Sequence, residues 1–381
     1  MAAVRWFGFV AGLALVGGTG LSLLYTLIVP RGHTARAARL ATVVAAGLGR
    51  TAGDRRADYR SQDRVLAVVG PLALLGLFTS WLLLFMVGFA LILWPLVPGG
   101  LGAALRQAGS SLFTLGLASS PRGSATTVDY AAAATGLLAI ALEIAYLPTI
   151  YGAFNRRETL VTLLEGRAGS PAWGPEVLAR HQLVGITGSL PAFYAAWEQW
   201  AADLAETHSN YTVLMHFRSP HPMRSWIVAL LAVLDSAALY QALSPAAAPS
   251  ESRLCLRMGF TCLRELARVQ GLPYDPDPMP NDPVELTYDE FLAGVARIRE
   301  TGFPIERSPE EAWVQFRGWR VNYEAIAWAI ADLVTAVAAP WSGPRRRIGE
   351  LQPLRPLDRT PDDPAATRHA GGRWQGPATL G

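Results

Sequence analysis

Residues Trp6 to Val29, WFGFVAGLALVGGTGLSLLYTLIV, form a run of 24 without a charge. As a helix, such a run crosses the roughly 30 Å hydrocarbon core of a bilayer with some tilt. Two more runs repeat the pattern. Leu66 to Val97 is charge-free, with Pro71 and Pro95 near its ends, and Tyr130 to Phe154 is broken only by Glu143. Inside a bilayer the backbone polar groups must be satisfied within the protein, so runs of this length fold as helices. The composition agrees: 51% of the 381 residues are hydrophobic and mean hydropathy is +0.23, while the length leaves room for a soluble domain beside the membrane unit. The first run is too long for a signal peptide and has no small-x-small site before Pro30-Arg31, so it reads as a retained anchor.

Charge sets the expected orientation. Arginine supplies all 33 basic side chains, as a GC-rich bacterial genome favours, and net charge is only +3, which gives no nucleic-acid signal. Arg31, Arg36, Arg39, Arg50, Arg55, Arg56, Arg60 and Arg64 crowd residues 31–64 against three aspartates, whereas residues 98–128 hold only Arg106 and Arg122. The excess of positive charge on cytoplasmic loops then predicts a multi-pass protein of the inner (plasma) membrane, with the N-terminus outside and everything after residue 155 in the cytoplasm. Residues 33–50 fit either an amphipathic helix on anionic lipid or an ordinary connector.

Between the second and third runs lies QAGSSLFTLGLASS, Gln107 to Ser120. An apolar helix, a short helix over Leu101–Phe113, the loop Thr114-Leu115-Gly116-Leu117-Ala118 and a second apolar helix follow in order. This order resembles the pore unit of the potassium-channel superfamily, whose filter reads Thr-Val-Gly-Tyr-Gly. The resemblance covers residues 66–157. It implies monovalent cations as ligands, a homotetramer and an ion pathway through Thr114, Leu115, Gly116, Leu117 and Ala118, then past Glu143. Gly136 lies near the family's inner-helix hinge, and Pro148 is expected to kink the helix below it. Leu117 and Ala118 replace the Tyr and second Gly of the family pattern. Filter carbonyls converge on the pore axis through backbone angles that a Cβ resists, so a weakly selective pore or a non-conducting loop is expected. An ionisable residue at the depth of Glu143 must face water or a partner, an arginine of another helix included.

Beyond Arg157 the pattern is helical and soluble. Residues 158–175 read as a connector, 189–207 as a helix bearing Phe193, Trp197 and Trp200, and 225–243 as a buried core helix because Asp235 interrupts it, with a fourth span as the alternative. Residues 251–270 and 309–338 read as further helices, with capping boxes at Thr287–Glu290 and Ser308–Glu311. Cys255 and Cys262, two turns apart, read as reduced core residues. His208, His216 and His221 lack metal-ligand spacing, and Asp275, Asp277, Asp282 and Glu285 lack the EF-hand pattern. No nucleotide-binding, metalloprotease or other enzyme signature is present, and no cofactor is implied.

The sequence therefore predicts an all-α integral membrane protein with three transmembrane helices, a re-entrant pore helix and loop between the second and third, and a cytosolic all-α domain. Its expected parts are an anchor at 1–30, a basic connector at 31–64, a pore-like unit at 65–157, a cytosolic helical domain at 158–341 and a disordered tail at 342–381. Its expected function is that of a cation channel of doubtful selectivity. The alternative is a non-conducting, membrane-anchored scaffold whose helical domain binds a partner.

Overall fold

The computed structural model describes residues 2–28, 36–56, 58–120 and 122–344, with backbone alone for 36–43. The described residues are helical, with no strand. Four helices are long and apolar enough to cross a membrane: Ala2–Leu27, Tyr59–Leu93, Gly123–Ala168 and Trp226–Leu243. Most of the expected tail lies outside the described residues.

The chain divides into two compact units, Met1–Thr159 with Leu204–Pro222, and Leu160–Asp203 with Met223–Gly381. Residues 204–222, which the sequence pattern assigns to the C-terminal domain, thus belong to the first unit.

The first unit is built from α1 (Ala2–Leu27), α2 (Arg36–Gly53), α3 (Tyr59–Ala67), α4 (Val69–Leu93), α5 (Gly100–Leu112) and most of α6 (Gly123–Ala168). Asp58 caps α3 by accepting from the N–H groups of Arg60 and Ser61. α1 lies along α4 at a crossing where Gly12 and Gly88 face each other; a Cβ on Gly12 would stand 2.6 Å from the Gly88 carbonyl oxygen. Small residues allow such approaches between apolar helices. In the following Gly17-Gly18-Thr19-Gly20 stretch only Thr19 is buried, while the three glycines have open space around them. Trp81 is fully buried and donates from Nε1 to the Ser22 hydroxyl at 3.2 Å, so it packs the bundle and does not float at the interface.

The expected connector after Arg157 is helical instead. α6 continues to Ala168 through Pro148 and Gly166, and the chain turns only at Gly169, whose φ is 81°. From Ala125 to Arg157 the buried residues of α6 form one narrow stripe: Ala125, Ala132, Gly136, Ala139, Glu143, Tyr146, Ile150, Ala153 and Arg157. The steps of seven, four and three are those of a helix presenting a single seam. Leu137, Leu138, Ile144 and Leu147 on its other sides are exposed.

The second unit is assembled around α9. It contains α7 (Gly174–Leu183), most of α8 (Leu190–Asn210), α9 (Trp226–Leu243), α10 (Ser250–Gln270), α11 (Tyr288–Glu300), α12 (Pro309–Arg320) and α13 (Glu324–Leu333). Every residue of α9 is buried, with α7, α10, α12 and α13 packed around it. Both capping boxes form, at Thr287–Glu290 and Ser308–Glu311. Pro249 caps α10, and Gly271 ends that helix in the left-handed region. Cys255 and Cys262 are buried and free. The single helix expected over 309–338 is two, separated at Val321–Tyr323. There Asn322 Nδ2 donates to the carbonyls of Gly318 and Trp319 at 3.2 Å, taking acceptors that a continuing helix would use.

Candidate functional site

The α5 helix and its loop pack into the first unit. Ala104, Ala108 and Leu112 of α5 are buried, and α5 packs on α4. On α6, Gly136 meets the end of α5 so closely that a Cβ would stand 2.0 Å from the Leu112 carbonyl oxygen. Asp129 of α6 accepts from Gln107 Nε2 and the Ser111 hydroxyl, both at 2.8 Å. Polar clamp and glycine crevice together dock this short helix on α6.

The chain then reverses sharply. Leu115 N–H donates to the Ser110 carbonyl at 2.8 Å, and Ala118 N–H donates to the Ser110 hydroxyl at 3.0 Å. Thr114 and Gly116 both lie in the left-handed region, with φ of 53° and 69°. Glycine reaches it freely, whereas threonine, being β-branched, reaches it at a cost. Thr114, Leu115, Gly116 and Leu117 are exposed and Ala118 half-buried; Leu117 has 82% of its surface open. The expected loop residues are thus together at one tip.

Glu143, Gly136 and Pro148 are elsewhere on α6. Glu143 belongs to the buried stripe, one turn from Ala139 and from Tyr146, and its Oε1 has no hydrogen-bond partner. In the single chain it therefore faces its own bundle. Gly136 sits within unbroken helix, where it provides the crevice for Leu112. Pro148 is exposed on the opposite side.

Sequence pattern alone misses a second polar centre. Arg157, in the same buried stripe, is fully enclosed. Its Nε donates to Glu158 Oε1 at 2.8 Å, Nη1 to the Leu214 carbonyl at 2.8 Å and Nη2 to the Phe217 carbonyl at 2.6 Å. Nη1 also lies 3.1 Å from His208 Nε2, and a guanidinium has only donors, so that nitrogen is the acceptor of a neutral ring. Nearby, Arg218 Nε bonds Asp63 Oδ1 at 2.5 Å and Nη2 bonds the Tyr59 hydroxyl at 2.6 Å. A Cβ on Gly70 would stand 2.6 Å from Phe217 Cδ2. Residues 208–218 are thereby strapped to α3, α4 and α6. The only sequence signal is the pair Arg156-Arg157 directly after an apolar run.

The histidines are engaged singly. Burial, and then Arg157, hold His208 well below the usual range. Burial pushes His216 down to about 4, with Arg50 and Arg218 adding to the shift. Burial also lowers His181, which bonds the Val177 carbonyl through Nδ1. The unfolded chain takes up protons at these rings near pH 6.5 and the folded chain does not, so stability is full above that pH and falls on acidification. The thermal midpoint of the detergent-solubilised protein is expected to drop between pH 7 and pH 5. Each histidine contributes up to about 1.4 kcal/mol per pH unit. His208→Gln keeps an acceptor near the Nε2 position without the titration and should flatten the profile; an unchanged slope would show that His208 is not one of the groups.

Among the described residues no three His, Cys, Asp or Glu side chains gather as a metal site. In the acidic loop, Asp275 and Asp282 accept backbone N–H groups of Asp277 and Met279, so those carboxylates shape their own turns. Compared with family models, curated proteins and solved structures, the chain matches none.

Proposed function

We propose that the chain is a subunit of a channel-type membrane assembly in which α5 is a re-entrant helix and 114–118 its pore loop. The observation that carries this reading is the docking of α5. A surface connector between two spans has no need of a 2.0 Å glycine crevice, an Asp129 clamp and three buried apolar side chains, yet ends on an exposed tip. In this reading α1, α3–α4 and α6 are the spans, and α9, buried on all sides, is the core of a cytoplasmic helical domain. Copies of the chain bring their tips together on a common axis, as a homotetramer. Glu143 Oε1 is buried without a partner in the chain, and in this reading the pathway passes close enough for a cation or water to reach it.

A second reading is favoured by the apolar character of the tip. Leu115 and Leu117 occupy it, and Glu143 points into the bundle, as in a non-conducting anchor. Cation flux into liposomes holding the full chain separates the two. On the channel reading the wild type carries K⁺ or Na⁺, and Gly116→Ala, at a φ of 69°, lowers the flux at least about tenfold, a cost of about 1.4 kcal/mol in the loop. Glu143→Gln lowers it further. Wild-type protein that is correctly incorporated and passes neither ion would overturn the channel reading.

A further inference from the structure

α2 rests on the joint between α3 and α4 through its glycines. A Cβ on Gly49 would stand 2.3 Å from Val69 Cγ2, and one on Gly53 would stand 3.1 Å from Gln62 Cγ. This contact fixes which face looks outward. Val44 and Leu48, one turn apart, are 51% and 67% exposed, and Thr51 and Arg55 continue the same exposed face. The same order of residues recurs on α3 and α4. Arg60 and Arg64 are exposed one turn apart, and Val68, Leu72 and Leu75 follow at helical spacing, also exposed. Basic side chains thus border outward apolar ones on both elements, the arrangement of a surface held at the edge of a bilayer.

The local acids offset only part of this charge, since Asp54 and Asp58 stand against four arginines. Asp58 spends its oxygens on the N–H groups of Arg60 and Ser61 and on the Ser61 hydroxyl. Asp63 is held by Arg218, and Asp54 accepts from Gln62 Nε2 at 3.4 Å. Arg55, Arg56, Arg60 and Arg64 are exposed, and none has an ion pair among the described residues. A guanidinium offers paired donors that match a phosphate, and a run of them beside a span attracts anionic lipid.

We propose that Arg55, Arg56, Arg60 and Arg64, with the apolar face of Val44 and Leu48, bind the headgroups of anionic phospholipids. The occupant is a lipid and not a soluble anion, because the outward apolar stripe of α4 runs on from the arginines and Val44 and Leu48 need acyl chain to cover them. The inference requires only that the chain spans a membrane, so it stands or falls apart from conduction.

The test is a lipid titration of the detergent-solubilised full chain, read as thermal stabilisation. Phosphatidylglycerol and phosphatidylcholine of the same acyl length are compared, with glycerol phosphate as the soluble arm. Half-maximal stabilisation by phosphatidylglycerol is expected at a concentration at least about tenfold lower than by phosphatidylcholine, with the gap closing in high salt. R55Q/R56Q/R60Q/R64Q should erase the preference, and Val44→Ser with Leu48→Ser should weaken both lipids equally. Glycerol phosphate should neither stabilise nor compete. Equal response to the two lipids in the wild type, a preference that survives high salt, or competition by glycerol phosphate would each overturn the proposal. The wild-type salt series distinguishes these outcomes even where the fourfold variant is not recovered folded.

Discussion

Arg320→Met is expected to destabilise the second unit by about 3–5 kcal/mol, because it strands buried carboxylates without their cation. Arg320 is fully buried and anchors one network. It pairs with Asp235 of α9, donates from Nε to Glu324 Oε1 at 2.7 Å and from Nη2 to the Trp341 carbonyl at 2.7 Å. Asp235 also accepts from the Tyr323 hydroxyl at 2.9 Å. Glu324 in turn receives the N–H groups of Glu285 and Leu286 at 2.6 and 3.1 Å. One guanidinium therefore ties α9, the break between α12 and α13, the approach to α11 and the segment at Trp341. Asp235→Asn should cost less than Arg320→Met, since an amide oxygen still accepts from Arg320. Denaturant unfolding followed by tryptophan fluorescence measures both, and a loss below about 1 kcal/mol for Arg320→Met, within the range of an ordinary exposed pair, would contradict the network's role.

Gly136→Ala is the second large effect. Its Cβ would stand 2.0 Å from the Leu112 carbonyl oxygen and 3.3 Å from Leu112 Cα. Backbone is there, so no side chain can rotate away, and α5 must leave α6 or the helices must part. Overfilling a packed site costs about 1–3 kcal/mol and more where backbone must move. Gly76→Ala, at a glycine with open space around it, is the control on a neighbouring span and should cost nothing measurable. The expected result is a lowered thermal midpoint for the first variant alone, with increased proteolysis between Gln107 and Ser120. Equal midpoints for the two variants would show that α5 does not depend on the crevice.

The long apolar helices were legible because charge-free runs permit little besides helices, and the caps at Thr287 and Ser308 because their chemistry is local. The burial of α9 was legible through Asp235, whose charge argued against a lipid-facing helix. The partner was not, since Arg320 lies 85 residues away and nothing in spacing joins them. The break after Arg320 was hidden for the same reason, the aromatic spacing running straight across it. The sequence shows glycines at 8, 12, 17, 18 and 20 without saying which of them meets α4, a matter of how α1 is rotated. The loop could be placed by its flanking apolar runs, whereas the turn of Glu143 into the buried stripe depends on the exact register of α6. The Arg157 centre rests on the carbonyls of Leu214 and Phe217, whose directions no residue type encodes.

The claim that matters most is that the tips of several chains meet on one axis. Leu117→Cys in the full chain, in a background where Cys255 and Cys262 are already buried, tests it directly in native-like membranes. Mild oxidation is expected to join chains in pairs through the new thiol, from a purified complex whose mass corresponds to four copies. A monomeric or dimeric particle whose Leu117→Cys thiols react with a soluble maleimide but never with one another would contradict it.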